Sequence, residues 1–267
     1  MHLVVAAKSG WGKSAKSQEV IEKNLPNYEH GVVLDYKDEY RGLVKAGFAD
    51  HWIVGPTEAD WSVPQWETFI ESNPKIVLAR LTSMSADTWR TVCGRVVAAA
   101  RRLRDAVIAI DEAHFVAPQK GSVPDAIGGL ATTGRGEQAS SILITQRLAK
   151  LEEDVLSQAG SRLLGGFESD ADLGKVGDVV EYPSDVHNPG IRSVAHLPDD
   201  LAPGAQKHSS RESPPDSLQK HEENGSLVAS EWIYSDDSGD RHRRSTRGLM
   251  DRMESTHYGL EGKGLKI

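Results

Sequence analysis

The sequence predicts an α/β protein in which a mainly parallel central sheet is flanked by helices and followed by a polar C-terminal extension. Short apolar runs of β type alternate with longer helical runs over most of the 267 residues, which is typical of strand–helix–strand units. The strand candidates are almost continuously apolar, as expected when both faces of a parallel sheet are covered. A glycine-rich segment joins the first strand to the first helix. These three observations predict the fold class.

The predicted elements follow one another in a regular order. The strands are residues 3–7, 32–34, 76–79, 107–110, 142–145 and 163–165. The helices are residues 14–24, 87–104 and 125–133, the last of which is weakened by two glycines. Residues 52–66 hold three tryptophans and two prolines. They are predicted to form an irregular connection whose rings pack on the core, because tryptophans are mostly buried.

The composition changes after residue 198. Several prolines lie there among Ser, Asp, Glu, His and Gln, which is typical of a linker. The sequence therefore predicts a folded domain over residues 1–198 and a polar linker and tail over residues 199–267. A small hairpin is expected around residues 227–239. The basic cluster at residues 241–247 has three interpretations, namely phosphate contact, an acidic partner or a solvated helix of mixed charge, and the helix is favoured.

Charge and cysteine content exclude several classes. The net charge of −8, from 31 Lys and Arg against 39 Asp and Glu, argues against a bulk electrostatic surface for nucleic acid or anionic membrane, although a local basic patch is allowed. No apolar run approaches the roughly 20 residues that span a bilayer, so no integral membrane segment is expected. The single cysteine, Cys93, excludes an internal disulfide. It is expected to be buried and fits a reducing, cytoplasmic compartment.

A phosphate-binding loop is predicted directly after the first strand. Residues 7–14 read AKSGWGKS and fit the pattern GxxxxGK[ST], except that Ala7 replaces the first glycine. Gly10 and Gly12 allow the backbone to approach phosphate oxygens, and a positive φ is expected at both. The candidate phosphate-binding residues are those from the centre of the loop to the start of the helix: Ser9, Gly10, Trp11, Gly12, Lys13 and Ser14. Lys13 supplies a cation, and the Ser14 hydroxyl is a candidate Mg²⁺ ligand at a helix N-terminus.

An acidic pair follows the strand at residues 107–110. Asp111 and Glu112 would lie at the carboxyl end of that strand, where ligands bind in open α/β sheets. Asp111 is the second candidate Mg²⁺ ligand, and Glu112 is the candidate residue that orients an attacking water. His114 is expected to pack or to hydrogen-bond locally, because no Cys or His partners stand at metal-ligand spacing.

Polar residues beyond the acidic pair complete the candidate site. Gln146 follows the strand at residues 142–145, so its amide is a candidate contact for a terminal phosphate or an attacking water. Arg135 stands between two glycines and is the candidate arginine that reaches the phosphate of a neighbouring subunit. A solvated loop arginine is the alternative interpretation of Arg135, and Arg147 and Arg162 are its rivals for the role.

With these residues in place, the sequence resembles the HerA/FtsK superfamily of P-loop DNA-pumping ATPases, and more closely its HerA-like branch. The matching segments are residues 9–14, the stretch VLDYKDEY at 33–40, the stretch DEAHFVAP at 111–118, the pair at 134–135 followed by residues 142–147, and residues 154–158. Together they cover about residues 1–196. This ordered set is more specific than a phosphate loop alone.

The resemblance implies a RecA-like core, Mg²⁺-dependent ATP hydrolysis, a homo-hexameric ring and duplex DNA moved through its channel. The resemblance does not extend to the accessory domains of the larger relatives, so the expectation is a compact motor that resembles the genome-packaging ATPases of viruses or mobile elements, located in host cytoplasm or with the virion. The C-terminal tail is the expected place for a protein partner. Removal of residues 199–267 is expected to leave basal ATPase activity intact.

Other interpretations of the same residues carry different predictions. Residues 111–114 spell the DEAH of one helicase class, but such enzymes need a second RecA-like domain, and too little compact sequence follows residue 196. A small-molecule kinase is weakened by Glu112, which would promote wasteful hydrolysis. A non-hydrolysing nucleotide-binding switch or assembly factor predicts slow or absent turnover and an ATP-dependent change of oligomeric state.

Overall fold

The computed structural model describes residues 1–133, 136, 138–203 and 215–265. The described part contains ten strands and eight α-helices. The strands are β1 (His2–Ala6), β2 (His30–Asp35), β3 (Asp50–Val54), β4 (Lys75–Arg80), β5 (Ala106–Ile110), β6 (Ala139–Thr145), β7 (Ser161–Leu164), β8 (Lys220–Glu223), β9 (Ser226–Asp236) and β10 (Arg241–Ser245). The helices are α1 (Lys13–Asn24), α2 (Arg41–Lys45), α3 (Pro56–Ala59), α4 (Val63–Ser72), α5 (Ala86–Ala100), α6 (Asp125–Thr133), α7 (Glu153–Ser157) and α8 (Asp170–Val179).

One mixed sheet runs through the molecule in the order β10-β9-β7-β1-β6-β5-β2-β4-β3, and β8 also pairs with β9. The seven strands from β7 to β3 in this order are all parallel. Strands β8, β9 and β10 pair in the antiparallel sense. The predicted fold class, a mainly parallel sheet flanked by helices, is therefore confirmed.

Apolar side chains cover both faces of this sheet, because neighbouring residues of a strand point to opposite sides. Val4 belongs to one buried cluster, with α4 and α5, whereas Leu3 and Val5 belong to the other, with α1. Cys93 is fully buried in the first cluster, as predicted. The continuous apolar runs that predicted the strands are thus explained by two-sided burial.

The irregular connection predicted for residues 52–66 is wrong, since these residues contribute to β3, α3 and α4. The two prolines in this stretch lie in the first turns of α3 and α4, where a missing backbone N–H has no helical partner to lose. Trp66 is fully buried and contacts Trp61 edge-on, as expected for core packing. Trp52 is 41% exposed, because β3 is the edge strand of the sheet.

The C-terminal segment continues the sheet. A hairpin is present, but residues 227–236 lie in the single strand β9, and the second strand, β10, begins after the predicted range. Strand β9 also pairs with β7, so no break in the sheet marks the predicted boundary at residue 198. The helix favoured for residues 241–247 is wrong, since most of this cluster forms β10. Backbone pairing with β9 satisfies the N–H and C=O groups on one side of β10, and Arg243 forms an ion pair with Glu231 across the two strands at 2.6 Å. None of the described helices has the length and apolar character needed to cross a membrane.

Candidate nucleotide-binding site

The loop between β1 and α1 has the backbone that phosphate binding requires. Gly10 and Gly12 have φ angles of 74° and 81°, so the positive φ predicted at both positions is confirmed. Ala7, which replaces the first glycine of the motif, has no positive φ and is fully buried. A Cβ at Gly165 would lie 2.8 Å from that of Ala7, so Ala7 fills space left free by a glycine in the neighbouring loop. The departure from the motif therefore leaves the loop geometry intact.

The side chain of Trp11, a candidate residue of the phosphate-binding loop, packs into the protein core. Its side chain is fully buried, and its indole N–H donates to the backbone carbonyl of Glu231 in β9 at 3.0 Å. The ring packs on Gly165 and Gly166, where no side chain would fit. The side chain of Trp11 therefore anchors the loop to the core.

The order of the strands brings four strand ends together at the carboxyl edge of the sheet. β6 lies between β1 and β5, and β5 lies beside β2. The loop of Lys13 follows β1, Gln146 follows β6, Asp111 and Glu112 follow β5, and β2 ends at Asp35. The motifs that are scattered along the sequence therefore meet at one site.

Lys13 and Asp111 lie opposite each other within this site. The Lys13 Nζ is 3.8 Å from Asp111 Oδ1, and both side chains are buried. The Ser14 hydroxyl donates to Glu39 at 2.7 Å. Glu39 is also close enough to Asp111 for its charge to help raise the pKa of that carboxyl. A cation, a hydroxyl and two carboxylates thus surround the start of α1.

A second buried carboxyl, Asp35, lies beside Asp111. Burial, reinforced by the charge of Asp111, raises the pKa of Asp35. Burial also raises the pKa of Asp111, against the lowering effect of Lys13. The backbone N–H groups of Tyr40 and Lys37 donate to Asp35 at 2.9 and 3.2 Å. The two neighbouring carboxyls disfavour each other's ionised forms, and a bound cation would stabilise both carboxylates.

These residues fit a magnesium ion. Asp111 Oδ2 is buried and has no hydrogen-bond partner among the described residues, and the Ser14 hydroxyl supplies a second hard oxygen. Among the described residues, no three His, Cys, Asp or Glu side chains form a metal-binding group. Mg²⁺ bound beside phosphates usually takes only one or two protein carboxylates and completes its octahedron with phosphate and water. The donor set of Ser14 and Asp111 therefore suits such an ion.

Glu112 is held in a strained and enclosed position. Its backbone adopts the left-handed conformation with φ 46° and ψ 47°, which is uncommon outside glycine and concentrates at functional sites. Its fully buried carboxylate pairs with Lys37 and lies 3.4 Å from His114 Nδ1. Burial lowers the pKa of Lys37, but the hydrogen bond to Glu112 and its charge outweigh this and raise it. His114 also lies 2.9 Å from the Thr145 hydroxyl, as predicted for a locally bonded histidine.

The arginines lie at different places. Arg147 follows β6 at the site's edge, and its Nε is 3.3 Å from Asp172. Arg162 lies at the start of β7, at the opposite edge of the sheet, where it is buried and pairs with Asp237. Arg162 is therefore far from the phosphate loop of its own chain. Arg135, the predicted trans-acting residue, lies outside the described residues.

A cavity of about 590 Å³ opens at the phosphate loop. Gln146 lines it together with the loop, so this candidate side chain is brought to the site. Sequence reasoning gave no role to the remaining lining residues, which are Lys8, Ala15, Lys37, Glu39, Leu227, Val228, Thr246, Gly248, Leu249, Met250 and His257. Lys37 and Glu39 could have been identified as site residues from the sequence, because they are charged residues that closely follow an apolar strand. The C-terminal residues could not, because they lie more than 200 positions from the loop.

No protein-family model and no curated protein matches this sequence. Solved structures do match. The genome packaging NTPase B204 from Sulfolobus turreted icosahedral virus 2, in complex with ATP-gammaS, has a TM-score of 0.56 at 15% identity, over 91% of this chain and 95% of that chain. The complex of the same NTPase with AMP gives 0.56 at 14% identity with the same coverage.

The B204 DNA-packaging ATPase from Sulfolobus Turreted Icosahedral Virus gives a TM-score of 0.55 at 14% identity, over 91% of this chain and 96% of that chain. The coverage is nearly complete in both directions. At these identities the similarity concerns the fold. The chain therefore has a RecA-like P-loop ATPase fold, shared with these viral packaging NTPases.

Proposed function

We propose that the protein is an ATP-hydrolysing DNA translocase of the HerA/FtsK type that packages viral or mobile-element DNA. One observation carries the proposal. A phosphate loop whose two glycines have the required positive φ faces a buried strand-end carboxylate, with Lys13 3.8 Å from Asp111, in a fold that genome-packaging NTPases share. A site of this type binds the triphosphate of a nucleotide and uses the acidic strand end for hydrolysis.

Each residue has a distinct role in the proposed site. Lys13 and the backbone N–H groups of the loop bind the phosphates. Ser14 and Asp111 would hold Mg²⁺, which neutralises the charge of the outer phosphates when it is bound. Glu112 orients the attacking water, and Gln146 hydrogen-bonds either that water or the terminal phosphate. We assign Arg135 to the phosphates of the neighbouring subunit in a homo-hexamer.

Duplex DNA is the proposed substrate that the motor moves, and the proposed contact is the end of β10 with the residues directly after it. Arg244 and Arg247 are exposed and line a cavity of about 570 Å³ with Lys220 and His221. Among the described residues, no acidic side chain forms an ion pair with either arginine. A local basic patch of this kind binds phosphates in spite of the net negative charge of the chain. The same C-terminal surface is available to a protein partner.

A second candidate function is a nucleotide-binding switch that does not hydrolyse ATP. One observation favours it, namely that the Glu112 carboxylate is fully buried and paired with Lys37. A glutamate held in this way does not reach a water beside the phosphates. The translocase therefore requires that nucleotide, DNA or a neighbouring subunit release this pair.

The decisive experiment measures ATP hydrolysis with and without duplex DNA, together with the molar mass of the particles. We expect DNA-stimulated turnover by a ring-sized assembly and a loss of at least about 100-fold in Glu112→Gln, because a positioned base is worth that much. Glu112→Gln should still bind ATP-gammaS, whereas Lys13→Ala should bind it about tenfold or more weakly. ATP binding without turnover in every assembly would support the switch instead.

A further inference from the structure

Part of the lining of the nucleotide cavity is apolar, and its large apolar side chains come from the C-terminal segment. Leu227 and Val228 project from β9, and Leu249 and Met250 follow β10. Leu227 and Val228 are each 37% exposed, and Met250 is 50% exposed. The described part of the chain exposes six large hydrophobic side chains, and these three are half of them. An apolar surface thus remains open to solvent directly beside a polar phosphate loop.

Leu227, Val228, Leu249 and Met250 form an apolar wall, and this wall touches the phosphate loop. A Cβ at Gly12 would lie 2.8 Å from Leu227 Cδ2, so the leucine side chain lies against the last glycine before Lys13. The loop and the wall line the same cavity. A ligand whose phosphates bind the loop would therefore reach the wall with its remaining part.

The wall is also fixed in place by contacts to α1. Glu22 accepts hydrogen bonds from the backbone N–H groups of Glu254 and Ser255, both at 2.9 Å. Gln18 donates to the Ser255 hydroxyl at 2.8 Å. On the other side, the bond from Trp11 to β9 fixes the strand that carries Leu227. A wall that is held before the ligand arrives does not have to be ordered on binding.

We propose that Leu227, Val228 and Met250 form the nucleobase subsite of this pocket, where the faces of a purine base pack. The inference rests on the proposed binding of ATP and adds the part of the site that recognises the nucleoside. Ligand pockets combine an apolar lining with a few polar groups, and here the polar groups belong to the phosphate loop. The aliphatic side chains cover the flat base, and the Met250 thioether makes a favourable contact with an aromatic ring.

The test compares two probes by titration calorimetry in the presence of Mg²⁺, ATP-gammaS and inorganic tripolyphosphate. Leu227→Asn and Met250→Gln conserve side-chain size but replace apolar surface with amides. Each variant should weaken ATP-gammaS binding about tenfold and leave the affinity for tripolyphosphate unchanged within about twofold. Ile53→Asn is the matched control, because Ile53 is also exposed, at 45%, on a strand at the other edge of the sheet.

The outcomes separate this inference from the proposed function. If both variants bind ATP-gammaS as Ile53→Asn does, the subsite is wrong. If both probes weaken equally, or if only the molar mass changes, the wall supports the loop or contacts another copy, and the subsite is again wrong. Wild-type protein that binds tripolyphosphate but not ATP-gammaS overturns the subsite and leaves the phosphate loop standing. Protein that binds neither probe overturns the proposed function itself. Melting temperatures of the two variants identify any loss that is due to unfolding.

Discussion

At the scale of single residues, the packing of one side chain, Trp11, stabilises the conformation of the phosphate loop. Trp11 fills a slot formed by Gly165 and Gly166, and a Cβ at Gly166 would come within 2.5 to 2.8 Å of the indole ring. The rigid ring cannot move away without breaking its hydrogen bond to Glu231. The loop conformation is therefore coupled to the chain after β7 and to β9, and substitutions outside the loop are expected to change nucleotide binding.

His187 supports this region and makes it sensitive to pH. The imidazole is fully buried, with Nδ1 2.8 Å from the Gly165 carbonyl and Nε2 3.0 Å from the Tyr182 hydroxyl. Burial lowers the pKa of His187 from 6.5 to about 4. The unfolded chain therefore binds a proton more readily than the folded protein. The contribution of neutral His187 to the free energy of unfolding is fully present above pH 6.5. It falls by up to about 3 kcal/mol as the pH drops from 6.5 to 4.

Urea denaturation of the wild type and His187→Gln at about pH 7.5 and about pH 5 checks this prediction. Between these values the wild type should lose about 2 kcal/mol more than the variant, because 1.5 pH units lie below the ordinary pKa. Buried carboxyls titrate in both proteins and cancel in the difference. An equal loss in both proteins would mean that His187 is not the group responsible.

At the scale of elements, the sequence predicts best the strands that are covered on both faces, because this burial requires a continuous apolar run. β1, β5 and β6 are short, buried, mainly apolar runs, and each is followed by polar residues that lie at the site. β3 and the helices after it are missed because prolines look like interruptions, although both stand where a helix begins. β10 is missed because Arg243 is stabilised by Glu231, a partner that local pattern does not reveal.

The candidate site divides in the same way. Lys13 and Asp111 were predictable, since a motif and a strand end specify them. The pairing of Glu112 with Lys37 depends on β2 lying beside β5, which the sequence does not state. The wall formed by Leu227 and Met250 depends on a segment more than 200 positions from the loop. The local sequence therefore predicted which polar residues lie at the strand ends, whereas contacts between distant segments required the fold.

The end of β10 and the residues directly after it are the proposed DNA contact. Arg244→Gln combined with Arg247→Gln should leave ATP hydrolysis without DNA unchanged and weaken DNA stimulation. Two phosphate contacts are lost, so the slope of log affinity against log salt should become less steep by about two. Arg241→Gln is the control, because Arg241 already pairs with Asp200 at 2.7 Å. Stimulation and salt slope equal to those of the control would place the DNA contact elsewhere.

At the scale of the whole molecule, the C-terminal segment belongs to the same structure as the phosphate loop. Strand β9 pairs with β7 and buries Trp232 and Ile233 completely, in the apolar cluster that also holds Leu3 and Trp11. The expectation that residues 199–267 are dispensable for basal ATPase activity conflicts with this packing. Their removal would expose the free edge of β7 and open one side of that cluster, besides removing the apolar wall of the cavity.

We therefore expect the chain ending at residue 198 to aggregate or to unfold without cooperativity, and not to bind ATP-gammaS. Trp232→Ala tests the same packing in the full chain. It should lower the free energy of unfolding by about 3 to 5 kcal/mol, as loss of a buried tryptophan does. Trp52→Ala, at a tryptophan that is 41% exposed, should cost less than about 1 kcal/mol. A truncated chain that unfolds cooperatively and hydrolyses ATP would show that the parallel strands fold alone and that β9 joins a finished sheet.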